Sequence, residues 1–66
     1  MTITVNGKSM EVADGVSVEA LLTQLGVERR FTAVAVNREV TPRRDYEATM
    51  LEPGDRVEIV RPMGGG

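Results

Sequence analysis

The chain has 66 residues, with eight basic and ten acidic side chains, a formal net charge of −2, and neither cysteine nor histidine. This length fits one small domain, which leaves little interior volume for a deep active site. The lack of cysteine excludes disulfides, iron–sulfur clusters and thiol nucleophiles, and the lack of histidine removes the commonest general base at neutral pH. The slightly acidic balance gives no reason to expect nucleic acid or an anionic membrane as a partner.

Targeting and metal binding are not indicated by the residue pattern. No apolar run approaches the ~18 residues that a membrane-spanning helix needs, and the first eight residues lack the basic and apolar regions of a signal peptide. A cytoplasmic protein with no membrane partner is therefore expected. No metal site is expected either, because the spacing of the acidic residues does not match a metal-ligand motif.

The first predicted elements form a β-hairpin. Residues 1–7 alternate apolar and polar side chains, which is the period of a strand. Asn6-Gly7 is a strong hairpin signal, because both residues tolerate the positive φ of a type I′ turn. A return strand is predicted over Lys8–Ala13. The two strands are expected to direct four side chains to one core: Ile3, Val5, Met10 and Val12.

A helix is predicted at about Val18–Leu25. Ser17 is the expected N-cap, and Gly26 is placed to end the helix in the left-handed conformation. Apolar side chains recur at the i, i+3, i+4 and i+7 positions of one helical face. The members of this face are Val18, Leu21, Leu22 and Leu25.

The second half of the chain predicts further strands. Phe31–Val36 alternates valine and alanine, and the small alanines predict close approach of another element on their side. A brief strand over Glu39–Thr41 follows the Asn37-Arg38 turn and stops at Pro42. Residues 43–49 are expected to be polar and irregular, with one short helical turn around Tyr46.

The last strand is predicted after a tight turn at residues 52–55, where Pro53 and Gly54 suit a type II turn. Val57 and Ile59 alternate with Glu58 and Val60. One helix cannot cover both faces of a sheet, so the prediction is an α+β roll of four to five strands with the helix across one face. The first strand is expected to pair with the last in the middle of a mixed sheet.

Several segments together carry a family resemblance. They are the Asn6-Gly7 hairpin, the apolar helix face, "AVAVNREVTPR" at 33–43, "LEPGDRVEIV" at 51–60, and the terminal Gly65-Gly66. Over its whole length the chain resembles the ubiquitin-like sulfur carriers with a β-grasp fold, most closely those of thiamine biosynthesis. The resemblance implies a β-grasp domain over 1–63 and a flexible glycine tail over 64–66. Gly64 is a departure, since it makes three glycines where the family needs two.

The resemblance also implies the chemistry of the tail. The C-terminal carboxylate of Gly66 would be adenylated and then converted to a thiocarboxylate that donates sulfur for thiazole formation. Gly64 and Gly65 would let the tail thread a narrow channel, since they have no side chains. The chain would be a carrier and not an enzyme, with no bound cofactor and a monomeric free form. ATP would be used by an E1-like adenylating enzyme, and the other implied partners are a sulfur-donor protein and a thiazole synthase.

Docking on such partners needs a surface near the tail. Val60 and Met63 are the candidate partner-binding residues, because an exposed apolar patch is the expected device. The alternative is that both close the bottom of the core. The pairs Arg29-Arg30 and Arg43-Arg44 either meet acidic partner surfaces or form a solvated loop face.

Three other functions stay open on the sequence alone. The small subunit of molybdopterin synthase has the same tail chemistry, although that family is usually longer and richer in aromatic residues. A ubiquitin-like protein modifier would join its diglycine end to lysines of target proteins. A non-catalytic β-grasp interaction domain would have an inert tail.

Overall fold

Five strands and one helix make up the part of the chain that the structure describes. The computed structural model describes residues 1–60, so the predicted domain boundary after residue 63 lies outside the described residues. The elements are β1 (Thr2–Val5), β2 (Lys8–Glu11), α1 (Val18–Leu25), β3 (Ala33–Val36), β4 (Glu39–Thr41) and β5 (Arg56–Val60). Short 3₁₀ turns lie at Arg29–Phe31 and Arg43–Asp45.

The strands form a single mixed sheet in the order β2-β1-β5-β3-β4. β1 is parallel to β5, while the β1–β2, β3–β4 and β3–β5 pairs are antiparallel. The predicted α+β roll, including the pairing of the first strand with the last in the middle of the sheet, is therefore confirmed. No helix within residues 1–60 has the length and apolar character needed to cross a lipid bilayer.

The two hairpins turn as the sequence predicts. Asn6 and Gly7 have φ of 50° and 84°, and Asn37 and Arg38 have φ of 52° and 72°. Two successive positive φ values are the mark of a type I′ turn, whose twist matches that of the flanking strands. Each hairpin therefore begins with an asparagine in the left-handed region, which asparagine tolerates better than most residues.

Helix α1 is capped at both ends. The Ser17 hydroxyl accepts a hydrogen bond of 3.0 Å from the Ala20 N–H. Gly26 has φ of 71°, and the N–H groups of Gly26 and Val27 donate to the carbonyls of Thr23 and Leu22 at 3.1 and 2.9 Å. This is a Schellman ending. A helix of eight residues is too short to be stable alone in water, so its stability depends on the sheet.

The core lies between α1 and one face of the sheet. Leu25, predicted on the buried face, is 37% exposed because it falls in the last turn of the helix. The buried apolar residues are Ile3, Val12, Val18, Leu21, Leu22, Val34, Tyr46, Leu51 and Val57. Val5, Met10, Val36 and Ile59 pack against this cluster and are partly buried.

The segment of residues 43–49 contributes more to the core than the sequence predicts. Tyr46 is 1% exposed, and its hydroxyl donates to the Thr32 carbonyl at 3.2 Å. The carbonyls of Thr49 and Tyr46 accept hydrogen bonds from Val18 and Glu19, at 2.9 and 3.0 Å. The segment thus satisfies backbone N–H groups that the first turn of a helix cannot pair internally.

Two strand boundaries differ from the predicted ones. β2 ends at Glu11 instead of Ala13, although the next N–H, that of Val12, still donates to the Met1 carbonyl at 2.9 Å. β3 begins at Ala33 instead of Phe31. The Phe31 N–H and the Thr32 hydroxyl both donate to the Glu28 carbonyl, at 3.2 and 2.6 Å. These two bonds hold the chain in a 3₁₀ turn.

Replacing Leu22 by alanine tests the packing of α1 on the sheet. Leu22 is 1% exposed, so Leu22→Ala should lower the free energy of unfolding by ~2–5 kcal/mol. Gln24→Ala is the matched control, because Gln24 is exposed on the same helix and glutamine and alanine differ little in helix propensity. Urea unfolding measures both. Equal losses for the two variants would show that the buried face of α1 is wrongly assigned.

Candidate functional site

The candidate site is the end of β5, because residues 61–66, which include the glycine tail, follow it in the chain. We call residues 61–66 the tail from here on. β5 lies between β1 and β3, so it is hydrogen-bonded on both sides. The predicted site residues Met63, Gly64, Gly65 and Gly66 lie outside the described residues. Val60 is the predicted site residue that the structure describes, and it is the last residue of β5.

Val60 points away from the helix. Val57 is fully buried and Ile59 partly buried, whereas Glu58 and Val60 are exposed. Since successive side chains of a strand point to opposite faces, Val60 lies on the outer face of the sheet. Val60 is 60% exposed, so the prediction of an exposed Val60 is confirmed and the alternative, that it closes the core, is wrong.

Val60 has apolar neighbours on this outer face. On β3, Ala33 is directly opposite Val60 of β5, and Ala35 lies between Glu58 of β5 and Val40 of β4. Directly opposed residues share a face and have Cβ atoms ~4.5–5.5 Å apart. We call Ala33, Ala35, Val40 and Val60 the outer-face patch.

The alanines of the outer-face patch correct one sequence prediction. Their small size predicted close approach of another element on their side of the strand. Ala33 is exposed instead, Ala35 is half-buried and Val40 is 77% exposed, so no other element within residues 1–60 packs closely over this side of β3. An apolar surface at the point where the chain leaves the sheet has the character of a contact surface for another protein.

The topology brings both arginine pairs to the same end of the sheet. Arg29 and Arg30 lie in the 3₁₀ turn just before β3, whose first residue is opposite Val60, the last residue of β5. Arg43 and Arg44 follow β4, which runs antiparallel to β3, so they also lie at the end where β5 stops. All four arginines are exposed.

The first arginine pair has contacts of its own. The Arg29 guanidinium lies 2.9 Å from the Glu19 carboxylate of α1, and the Arg30 guanidinium lies 5.9 Å from the centre of the Phe31 ring. Arg43 and Arg44 form no ion pair within residues 1–60. Exposed cations around an apolar patch favour docking on acidic partner surfaces over uncharged ones.

The chemistry available on the described surface is limited. The chain has no cysteine or histidine, and residues 1–60 bring no three carboxylates close enough to hold a metal ion. The surface of residues 1–60 therefore offers no thiol, imidazole or carboxylate cluster for a reaction.

Comparison with known proteins connects this geometry to a family. The model of the ThiS family matches residues 3–66. The chain belongs to the ThiS family. A crystal structure of the thiamine biosynthesis protein ThiS from Geobacter metallireducens superimposes with a TM-score of 0.88, at 40% identity and with all of both chains covered. The β-grasp fold and the resemblance to the sulfur carriers of thiamine biosynthesis are thus confirmed.

Two curated relatives extend the comparison. The sulfur carrier protein ThiS of Escherichia coli is 30% identical, and the match covers all of both chains. A thiazole synthase of Paramagnetospirillum magneticum is 39% identical over 66 residues, and there this chain spans only 20% of the relative's length. A ThiS-like segment thus occurs both as a separate small protein and as about a fifth of a thiazole synthase.

The same substitution at two positions of β5 tests which face of the strand is buried. Val57→Thr places a hydroxyl in the apolar core, so it should lower the free energy of unfolding by ~1–3 kcal/mol. Val60→Thr keeps a β-branched side chain on an exposed face and should change it by less than ~0.5 kcal/mol. Chemical denaturation compares the two variants. A loss of unfolding free energy for Val60→Thr as large as that for Val57→Thr would show that Val60 is buried in the core.

Proposed function

We propose that this chain is a sulfur carrier of thiamine biosynthesis and that the carboxylate of Gly66 carries the sulfur. The main support is the family match, which runs through β5 and the glycine tail together, up to residue 66. The central position of β5 adds to it, because the tail starts from a strand that is paired on both sides.

The Gly66 carboxylate needs activation before sulfur can replace one of its oxygens. A C-terminal carboxyl group has a reference pKa of ~3.3–3.7, so at neutral pH it is an anion and a poor electrophile. An E1-like enzyme joins it to the adenylate of ATP, and pyrophosphate leaves. Hydrosulfide delivered by the sulfur donor then attacks the carbonyl carbon and displaces AMP, which takes one carboxyl oxygen with it. The product is a thiocarboxylate.

The carrier positions the Gly66 carboxylate, and its partners supply the side chains that react with it. Because the chain has no cysteine or histidine, nucleophilic and acid–base steps are left to the adenylating enzyme, the sulfur-donor protein and the thiazole synthase. Beyond Val60 there are six residues, which span ~20–22 Å when extended at ~3.3–3.6 Å each. The folded domain can therefore dock outside an active site while the carboxylate reaches into it.

The outer-face patch is the proposed docking surface, with Val60 at its edge nearest the tail. Met63, which lies outside the described residues, follows three positions later in the chain. A thiazole synthase is the proposed acceptor of the sulfur. The thiazole synthases with a ThiS-like segment support this link, since a carrier and its acceptor gain effective concentration when joined in one chain.

A charge on the outer-face patch should impair docking. Val60→Asp would bury an unpaired carboxylate in the contact with the adenylating enzyme, so the KM for the carrier should rise at least ~10-fold, equivalent to ~1.4 kcal/mol. Met50→Asp is the matched control, because Met50 is also a large apolar residue and 58% exposed, but it lies beside the start of α1. Steady-state adenylation kinetics measure both. A similar rise for Met50→Asp would exclude the outer-face patch as the docking surface.

Shortening the tail tests the role of the carboxylate. Deletion of Gly65 and Gly66 together should abolish thiocarboxylate formation, because it withdraws the carboxylate by ~7 Å, and displacements of ~1 Å already cost ~100-fold in rate. Deletion of Gly66 alone leaves Gly64-Gly65 at the end and should retain part of the activity. Both deletions should leave the free energy of unfolding within ~0.5 kcal/mol of wild type.

The measurement is intact mass after incubation with the adenylating enzyme, ATP and the sulfur donor, which shows the exchange of oxygen for sulfur. Gly66→Val is the companion variant, since it keeps the length and adds a stiff β-branched side chain. It should react slowly if the tail enters a narrow channel. Wild-type rates for the double deletion would disprove the proposed function.

A further inference from the structure

Strand β5 extends further than its partner β1. The parallel pairing of the two strands ends at Val5 opposite Val57. The last backbone hydrogen bond between them runs from the Asn6 N–H to the Val57 carbonyl, at 2.9 Å. At Asn6 the chain turns away into the β1–β2 hairpin, and β5 continues to Val60.

The side chain of Asn6 pairs with β5 where the backbone of β1 no longer does. Its Oδ1 accepts a hydrogen bond of 2.8 Å from the Ile59 N–H, and its Nδ2 donates to the Ile59 carbonyl at 3.3 Å. A side-chain amide has one acceptor and donors in the same plane, so it can replace the peptide group of a missing strand. Ile59 is thereby held on its β1 side, one residue before β5 ends.

Two separate demands meet at Asn6. The turn requires φ of 50° there, which favours asparagine, aspartate or glycine. Pairing with Ile59 requires both a donor and an acceptor on a short side chain. Glycine meets the first demand alone, and an ionised aspartate can accept but cannot donate. Asparagine meets both.

We propose that Asn6 is a positioning residue for the reaction at the Gly66 carboxylate; this inference rests on the proposed function. Asn6 holds the β1 side of the end of β5, while β3 holds the other side as far as Val60. Without the Asn6 bonds, residues 58–60 are held by β3 alone, so the direction in which β5 leaves the sheet is less fixed. Six residues follow Val60, and over the ~20–22 Å that they span when extended, a small change of that direction moves the Gly66 carboxylate by more than ~1 Å.

The expected effect of losing this pairing is on the chemical step more than on docking. Loss of a fixed direction at the end of β5 displaces the carboxylate within the active site, and reaction rates depend steeply on such displacements. The outer-face patch is mostly on β3 and β4, and Val60 keeps its antiparallel partner Ala33. The KM for the carrier should therefore change little.

Asn37 offers a matched control. It opens the other type I′ turn with φ of 52°, and its side chain also binds β5. Its Oδ1 accepts from the Arg56 N–H and its Nδ2 donates to the Asp55 carboxylate, both at 3.0 Å. These bonds hold the beginning of β5, at the far end from the tail.

The experiment compares Asn6→Gly with Asn37→Gly, because glycine preserves both turns and removes only the side-chain bonds. In Asn6→Gly, the Ile59 amide loses its hydrogen-bond acceptor, Asn6 Oδ1. Its hydrogen exchange should therefore accelerate at least ~10-fold relative to that of the Val57 amide. The kcat for adenylation should fall ~3–10-fold, with KM within ~2-fold of wild type. In Asn37→Gly, the Ile59 amide and kcat should stay within ~2-fold of wild type.

Two results would overturn the proposal while the wild-type chain is still converted to the thiocarboxylate. One is a wild-type kcat for Asn6→Gly, and the other is an equal fall in kcat for both variants, which would reveal a general loss of stability. A wild-type chain that is not adenylated at all would instead overturn the proposed function, and with it the positioning role. Hydrogen exchange at Ile59 would then still decide whether the side-chain pairing exists in solution.

Discussion

The pairing of β5 with both β1 and β3 is the interaction on which the rest of the structure depends. β1 and β2 form one hairpin and β3 and β4 form another, and β5 joins the two into a single sheet. Isolated hairpins are marginally stable in water, whereas three or more strands with a packed helix are stable. The eight-residue helix likewise needs the completed sheet beneath it. Because β1 and β5 are more than fifty residues apart in the chain, the sheet is complete only after a long-range closure, which such folds form slowly.

The sheet also divides the molecule into a packed face and an exposed face. One face meets α1 and contains the core residues. The other face is polar toward β2 and apolar toward β3 and β4, where the outer-face patch lies. The residues of the outer-face patch lie outside the core cluster, so packing of the core does not constrain them. This separation suits a small carrier, because a 66-residue chain has no spare core in which to bury a binding site.

The sequence predicted the elements with strong local signals. Asn6-Gly7 and Ser17 specify a turn and a cap through their own backbone preferences, and both predictions are confirmed. The position of Val60 followed from strand alternation alone. The family resemblance then indicated the tail chemistry, which periodicity cannot reveal.

Other features were missed because they depend on contacts between distant segments. Tyr46 is a single aromatic residue in a polar segment, so no periodic pattern marks it, and its burial arises from contacts with Thr32 and the first turn of α1. The 3₁₀ turn before β3 depends on hydrogen bonds to the Glu28 carbonyl that compete with extension of the strand. The pairing of Asn6 with Ile59 joins residues 53 positions apart. The Asn6-Gly7 signal predicts the hairpin turn but not this pairing.

Because β5 is central, folding also requires that the chain be intact as far as Val60. A chain cut anywhere before Val60 loses part or all of the strand that joins the two hairpins. The fragment then has a new carboxylate at its end but no complete sheet behind it and no stable outer-face patch beside it. Truncation within β5 would thus be seen as unfolding, whereas truncation after Val60 leaves every strand of the sheet in place.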